Sequence, residues 1–315
     1  MTWKHISALK SVETPTPNKM EQLYSGKDFR ISCSSIGKLL TGTTGKSKAQ
    51  KIREHEAVLI IENGKLQTLT VGSKSHTNKL DKIAKVQSEL DEFKKLPDVP
   101  PLSKTAITHL EEWCKQRIYG HKKDFVSKQT YKGNSQEKEA IEYASVYLWK
   151  IFEAQKNTER FYTEYIEGEP DIITAKTVED IKNSFTYKTF PLFAKALPNA
   201  DYYWQLLGYI IILRANGFNI ESAGVNYTLM PMPDELLDSE AFYIAKLTHD
   251  EDTISFQDKK ANILENLRHE NALIEATDIK YRAKRFEVLY NEDDANLIVA
   301  MVKQAREYID NYLIV

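Results

Sequence analysis

Asp171, Asp180 and Lys182 have the types and spacing of a site that could cut a phosphodiester. Pro170-Asp171 is separated by eight residues from Asp180-Ile181-Lys182. In a strand, side chains two apart share a face, so Asp180 and Lys182 would point one way and Glu179 the other. If the strands carrying 171 and 180 pair as a hairpin, two carboxylates converge at one end of a sheet. Hard cations such as magnesium take oxygen ligands and keep several waters. An ion held there would activate water and neutralise charge growing on the phosphate, and Lys182 could orient that water or stabilise the transition state. The bland alternative is a turn at Pro170-Asp171 followed by an exposed edge strand. An Asp-x-Lys tripeptide alone carries nothing; its place one hairpin after Gly168-Glu169-Pro170-Asp171 gives it weight.

Two further groups could join the site. Gln205 and Tyr209 are four apart and so share a helix face, although Trp204, Leu206, Leu207 and Ile210 mark that helix as largely core. Glu137 opens a long helix and could extend a carboxylate to the same metal, with Glu139 a weaker candidate. Glu137 could equally close a capping box with Asn134, and the sequence does not separate these roles.

The elements that must position these residues are legible in outline. A short helix starts near Ser34-Ser35, after an irregular arm over 1–30. Helical spacing of apolar residues predicts helices over 78–95, from a Ser103 cap to Arg117, and over 135–154. The period then shortens. Strands are expected at 161–166, 171–174 and 177–182, a turn region from Gly168, a helix over 201–215 and a strand over 222–229. Helix, three strands, helix, strand implies one α/β core within 133–235. Residues 1–132 form a basic, mostly helical region, and 236–315 a mainly helical one ending in an amphipathic helix over 293–313.

Bulk properties narrow the field. The chain has 315 residues, 42% hydrophobic and 28% charged, and no apolar run, Tyr209–Leu213 included, is long enough to cross a bilayer. With no apolar leader after Met1, a cytoplasmic location is expected. Cys33 and Cys114 are too few for a four-cysteine zinc or iron–sulfur site, and the seven histidines show no HExxH spacing. Residues 1–132 hold 24 Lys and Arg against 14 Asp and Glu, and the remainder 19 against 31. A basic half suits a polyanionic partner, though solvated surface charge would look the same.

Within that half, Lys115, Arg117, Lys122, Lys123, Lys128 and Lys132 interleave with Tyr119, Phe125 and Tyr131 just before Glu137. Cations on phosphates and rings on unpaired bases would make this a DNA-contacting segment; Ser35 is expected to add a contact. The alternative is a solvated loop with its rings in the core. Thr41–Ser47 looks like a phosphate-binding loop but has Leu40 where its first glycine belongs, so ATP binding is not expected.

Taken in order, Glu137, Gly168-Glu169-Pro170-Asp171, Asp180-Ile181-Lys182 and Gln205-x-x-x-Tyr209 resemble the PD-(D/E)XK nuclease superfamily. The last pair is similar to a motif of its RecB-like branch. Over roughly 30–230 the chain looks like phage recombination exonucleases of the lambda-exonuclease and YqaJ type. The resemblance implies a restriction-endonuclease-like core, a central mixed β-sheet flanked by helices in αβββαβ order, with helical additions at both ends. It implies Mg²⁺ or Mn²⁺ held by Asp171, Asp180 and the Ile181 carbonyl with Glu137 assisting, and Lys182 handling the water. It also implies DNA exonuclease activity on linear duplex ends, with an annealing protein as partner and homo-oligomers among relatives. An endonuclease on the same fold and a non-catalytic DNA-binding recombination protein are the rival readings.

Overall fold

The computed structural model describes residues 24–40, 48–121, 127–149, 154–247 and 254–314. In chain order the strands are β1 (Ile31–Ser32), β2 (Phe161–Tyr162), β3 (Ile166–Gly168), β4 (Ile172–Ile173), β5 (Thr177–Asn183), β6 (Ser222–Thr228) and β7 (Ala283–Leu289). The helices are α1 (Ile36–Leu39), α2 (Lys48–Leu66), α3 (Lys74–Lys95), α4 (Lys104–Tyr119), α5 (Lys128–Ser135), α6 (Glu137–Ala144), α7 (Ala200–Ala215), α8 (Asp234–Lys246), α9 (Ile254–Ala276) and α10 (Glu292–Tyr308).

Side-chain caps start many of these helices. Ser103 accepts from the Ala106 N–H at 3.1 Å, Ser127 from Thr130 and Asn199 from Asp201, each satisfying a donor the first turn leaves open. No helix among the described residues is long and apolar enough to cross a membrane.

Two sheets form, where one was expected. The smaller has order β1-β3-β2, the larger β4-β5-β6-β7, with β5 and β6 parallel and the other pairs of the larger sheet antiparallel. The region expected as a strand over 161–166 is a tight hairpin. Thr163 turns the chain by accepting from Tyr165 and Ile166 N–H, and Phe161 pairs with Gly168. Gly168 is therefore a strand residue. A Cβ there would lie 2.6 Å from the Cys33 sulfur, so only glycine lets β3 approach so closely.

The principal core draws on residues from Tyr24 to Ile309 and thus on all three stretches of the chain. Its centre is α7, buried almost all round through Trp204, Leu206, Leu207, Ile210, Ile212 and Leu213. That helix packs against both sheets. Full burial of each such side chain is worth about 1.5–3 kcal/mol. On the other face of the larger sheet, α6 packs Ala140, Ile141 and Ala144 against Ile172 and Ile181. All of β6 is buried, covered on both faces.

One sequence expectation fails here and another omits an element. The helix expected over 135–154 begins earlier and is broken at Gln136, whose side chain bridges the Pro231 carbonyl (2.7 Å) and Asn183 (2.8 Å) instead of continuing the helix. The region after 236 is not only helical. It contributes β7, an edge strand that pairs along the whole of β6. Helix α2 was also not anticipated, whereas α3, α4, α7 and α10 lie close to the expected ranges. The 1–23 arm and the 41–47 loop lie outside the described residues.

Candidate active site

β4 and β5 create the site. Ile172 pairs with Glu179 and Ile173 with Val178 in an antiparallel ladder. One step further along that register, Asp171 stands opposite Asp180, and directly opposed residues project from the same face. Asp171 Oδ2 accepts the Ile181 N–H at 2.9 Å, which locks its carboxylate against β5. Asn157 stitches the preceding turn through the Pro170 and Asp171 carbonyls.

Asp180 is 2% exposed and faces α7. Its Oδ1 accepts from Gln205 Nε2 at 2.9 Å; the same nitrogen reaches the Tyr209 hydroxyl at 2.9 Å, and that hydroxyl donates to the Glu169 carbonyl at 3.4 Å. The i, i+4 spacing on α7 thus braces Asp180 and ties it to the turn before Asp171. Lys182 Nζ lies 2.6 Å from Asp180 Oδ2 and 5.1 Å from the centre of the Tyr202 ring. Lys182 is thus the close partner of Oδ2, a buried carboxylate oxygen with a second lone pair still able to accept.

Electrostatics follow from that crowding. Burial, then the Asp180 charge, lifts Asp171 to about 7 against the pull of the Ile181 N–H and Lys182. Burial also raises Asp180, with Lys182 opposing. For Lys182, burial alone would lower the ammonium, but Asp180 and Asp171 outweigh it and hold the pKa at about 12. Burial and the two acids raise Tyr209 so far that its phenol stays protonated.

These features bear on a metal. Two opposed, desolvated carboxylates repel, and a divalent cation bound to a remaining lone pair of each would relieve that repulsion. The all-oxygen donor set of Asp171, Asp180 and the Ile181 carbonyl suits a hard cation. Among the described residues, no three His, Cys, Asp or Glu side chains are gathered into a ready-made cage. Glu137 is near enough to act on the charges of both aspartates, but its carboxylate is paired with Lys156. It sits at the first position of α6 while Asn134 lies inside α5, so of the two roles left open the capping box with Asn134 does not form.

The expected DNA-contacting residues fare unevenly. Lys132 is 1% exposed and donates to the Ser184, Phe185 and Met230 carbonyls at 2.8–3.0 Å. Three carbonyls use all three ammonium protons, so Lys132 fastens strand ends and does not face a phosphate. Lys128 binds Glu240 at 2.9 Å and lies over the Tyr243 ring. Lys115 pairs loosely with Glu111 along α4, and Arg117 stacks over Trp113. Ser35 precedes α1 without capping it. Lys122, Lys123 and Phe125 lie outside the described residues. Sequence reasoning missed Lys156 and Tyr202, since nothing in their spacing signals that one pairs with Glu137 and the other lies beside Lys182.

No family model and no curated protein matches the chain. Among solved structures it is similar to a phage-related exonuclease from Haemophilus somnus 129PT, with a TM-score of 0.57 and 21% identity over 93% of this chain and 98% of that one. It also aligns with an alkaline exonuclease, LHK-Exo, from Laribacter hongkongensis, at a TM-score of 0.47 and 8% identity over 94% and 95% of the two chains. At such identities the likeness is one of fold, and the first of these structures shares this chain's fold over nearly its full length.

Proposed function

We propose that the protein is a divalent-metal-dependent DNA exonuclease acting on duplex ends, in phage-type recombination. The observation that carries this reading is the opposition of Asp171 and Asp180 on one sheet face, with Lys182 beside them. The fold shared with a phage-related exonuclease supports it. Asp171, Asp180 and the Ile181 carbonyl would hold Mg²⁺ or Mn²⁺, with Glu137 joining on release from Lys156. When bound, the ion would supply a Lewis acid for the phosphate and lower the pKa of a coordinated water.

The chain's own residues do the rest. Gln205 and Tyr209 fix the Asp180 carboxylate, so that no reorganisation is needed as charge develops. The Ile181 N–H fixes Asp171. Lys182, kept protonated by the two aspartates, presents a positive charge to the side of the site where a non-bridging phosphate oxygen becomes more negative.

The test is digestion of end-labelled linear duplexes, with 5′-phosphate and 5′-hydroxyl ends, beside closed circular DNA. Linear DNA should be degraded only with Mg²⁺ or Mn²⁺, and circles should survive. Asp180→Ala should abolish degradation and leave DNA binding intact; a fully active Asp180→Ala protein would remove the assignment. Cutting of circles would point instead to an endonuclease on this fold.

A further inference from the structure

The segment 184–199, between β5 and α7, was read from sequence only as a connection, yet it is held in place at several points. Lys132 Nζ binds the Ser184 and Phe185 carbonyls at 2.9 and 3.0 Å. Phe190 is buried in the principal core. Lys284 Nζ binds the Leu192 and Ala194 carbonyls at 2.6 and 2.5 Å. Thr186 and Thr189 close a turn between the first two anchors.

What this clamped loop turns outward is a ring-and-cation pattern. Phe193 is 91% exposed, although both its neighbours are fastened by Lys284. Tyr187 is also exposed, with Lys188 over its ring at 5.7 Å. Lys195 is exposed, and there is no acidic residue from 184 to 200. One exposed aromatic is ordinary; a fully exposed ring on a fastened, purely cationic loop is the makeup of a base-stacking surface.

The loop is also near the reacting end of the sheet. Lys182 pairs with Tyr227, and Tyr227 with Lys284, so the three form one row across β5, β6 and β7. With strands about 4.8 Å apart, the backbone of Lys284 lies roughly 10 Å from that of Lys182. Tyr202 fills the space between, near both Lys182 and Tyr227.

We infer that residues 184–199 form a lip on which an unpaired nucleotide beside the cleavage site stacks, with Phe193 as the platform and Lys188 and Lys195 beside the phosphates. The inference rests on the nucleic-acid reading above. The probe is a 12-nucleotide oligothymidylate and an abasic oligomer of equal length, titrated onto the full-length Asp180→Ala protein so that nothing is cut. Adding Phe193→Ala should weaken oligothymidylate binding about ten-fold, the scale of one lost stacked base, and leave abasic binding within two-fold. Phe193→Trp should keep the affinity, and its added indole emission should be quenched by oligothymidylate only.

Equal losses for both oligomers, a change under two-fold for oligothymidylate, or emission indifferent to DNA would overturn the inference. The two readings fail separately. A wild-type protein that binds with this base dependence but degrades no duplex removes the nuclease assignment alone. Degradation with no Phe193 effect removes the lip alone.

Discussion

If Asp180 holds a metal as proposed, Gln205 would govern the site from one step behind it. Its single amide nitrogen serves both Asp180 and Tyr209, so removing it leaves Asp180 with only the Lys182 ion pair. Residues that orient metal ligands typically change metal affinity or activity 10- to 100-fold. Gln205→Ala should therefore raise the Mg²⁺ concentration giving half-maximal rate by about ten-fold or more, with partial rescue at high Mg²⁺. Tyr209→Phe should do less, because its onward bond to Glu169 is long at 3.4 Å. An unchanged Mg²⁺ titration for Gln205→Ala would show that Asp180 needs no such brace. That Asp171 would face Asp180, that Lys182 would share the Asp180 face and that Gln205 and Tyr209 would share a helix face was legible in sequence, because hairpin and helix geometry fix those spacings; that α7 meets Asp180 was not. Lys132 was misread because a charge in a basic run looks solvated. Nothing local announces that three carbonyls from two distant strand ends converge on it.

At the scale of elements, the hidden piece is β7. Phe286 and Val288 alternate with Arg285 and Glu287, a period-two signal. The charged residues disguised it as part of a helical region. Arg285 in fact reaches across β6 to Glu179, which is 2% exposed, with guanidinium–carboxylate contacts of 2.9 and 3.0 Å. Asn226 donates to the same carboxylate at 2.8 Å and accepts from the Trp149 indole. This network lies on the sheet face opposite Asp180 and braces β5 from behind. Breaking one partner of a buried pair strands the other charge, at a cost of about 3–5 kcal/mol. Arg285→Met should lower the stability measured by urea unfolding by about that amount, and adding Glu179→Gln should recover at least half. A loss under about 1 kcal/mol for Arg285→Met would mean that water or rearrangement replaces the guanidinium. The helix break at Gln136 belongs to the same class. The apolar period runs on through 135–154, while Gln136 at the break is held by tertiary bonds to Pro231 and Asn183 that the period does not encode.

The whole molecule combines a shared core with one element that stands largely apart. Helices α2 and α3 pack chiefly on each other: Glu62 takes Lys79 and Lys82 at 2.5 and 3.2 Å, Glu56 pairs with Lys94, and His55 meets the Phe93 ring edge-on. At its base the hairpin closes on itself, for Lys48 Nζ binds the Leu96 carbonyl at 2.6 Å and Asp98 at 2.9 Å. Arg53 ties that base to Asp293 at the start of α10. The distal part leaves Ile60, Ile61, Val71 and Leu80 in water, and none of its residues belongs to the principal core. A segment whose ends already meet can be shortened with little change in loop-closure entropy, because that entropy varies only slowly with length. Replacing 60–85 by a short Gly-Ser turn should thus remove helical signal from the circular dichroism spectrum while the cooperative melt shifts by less than about 5 °C, equivalent to about 3 kcal/mol. Degradation of linear duplex should persist, since Asp171, Asp180, Lys182 and the 184–199 loop are all fixed by the sheet and α7. Loss of the cooperative transition would show instead that the distal hairpin helps hold α10 against the core. A protein that melts normally but no longer degrades DNA would place the hairpin among the substrate contacts.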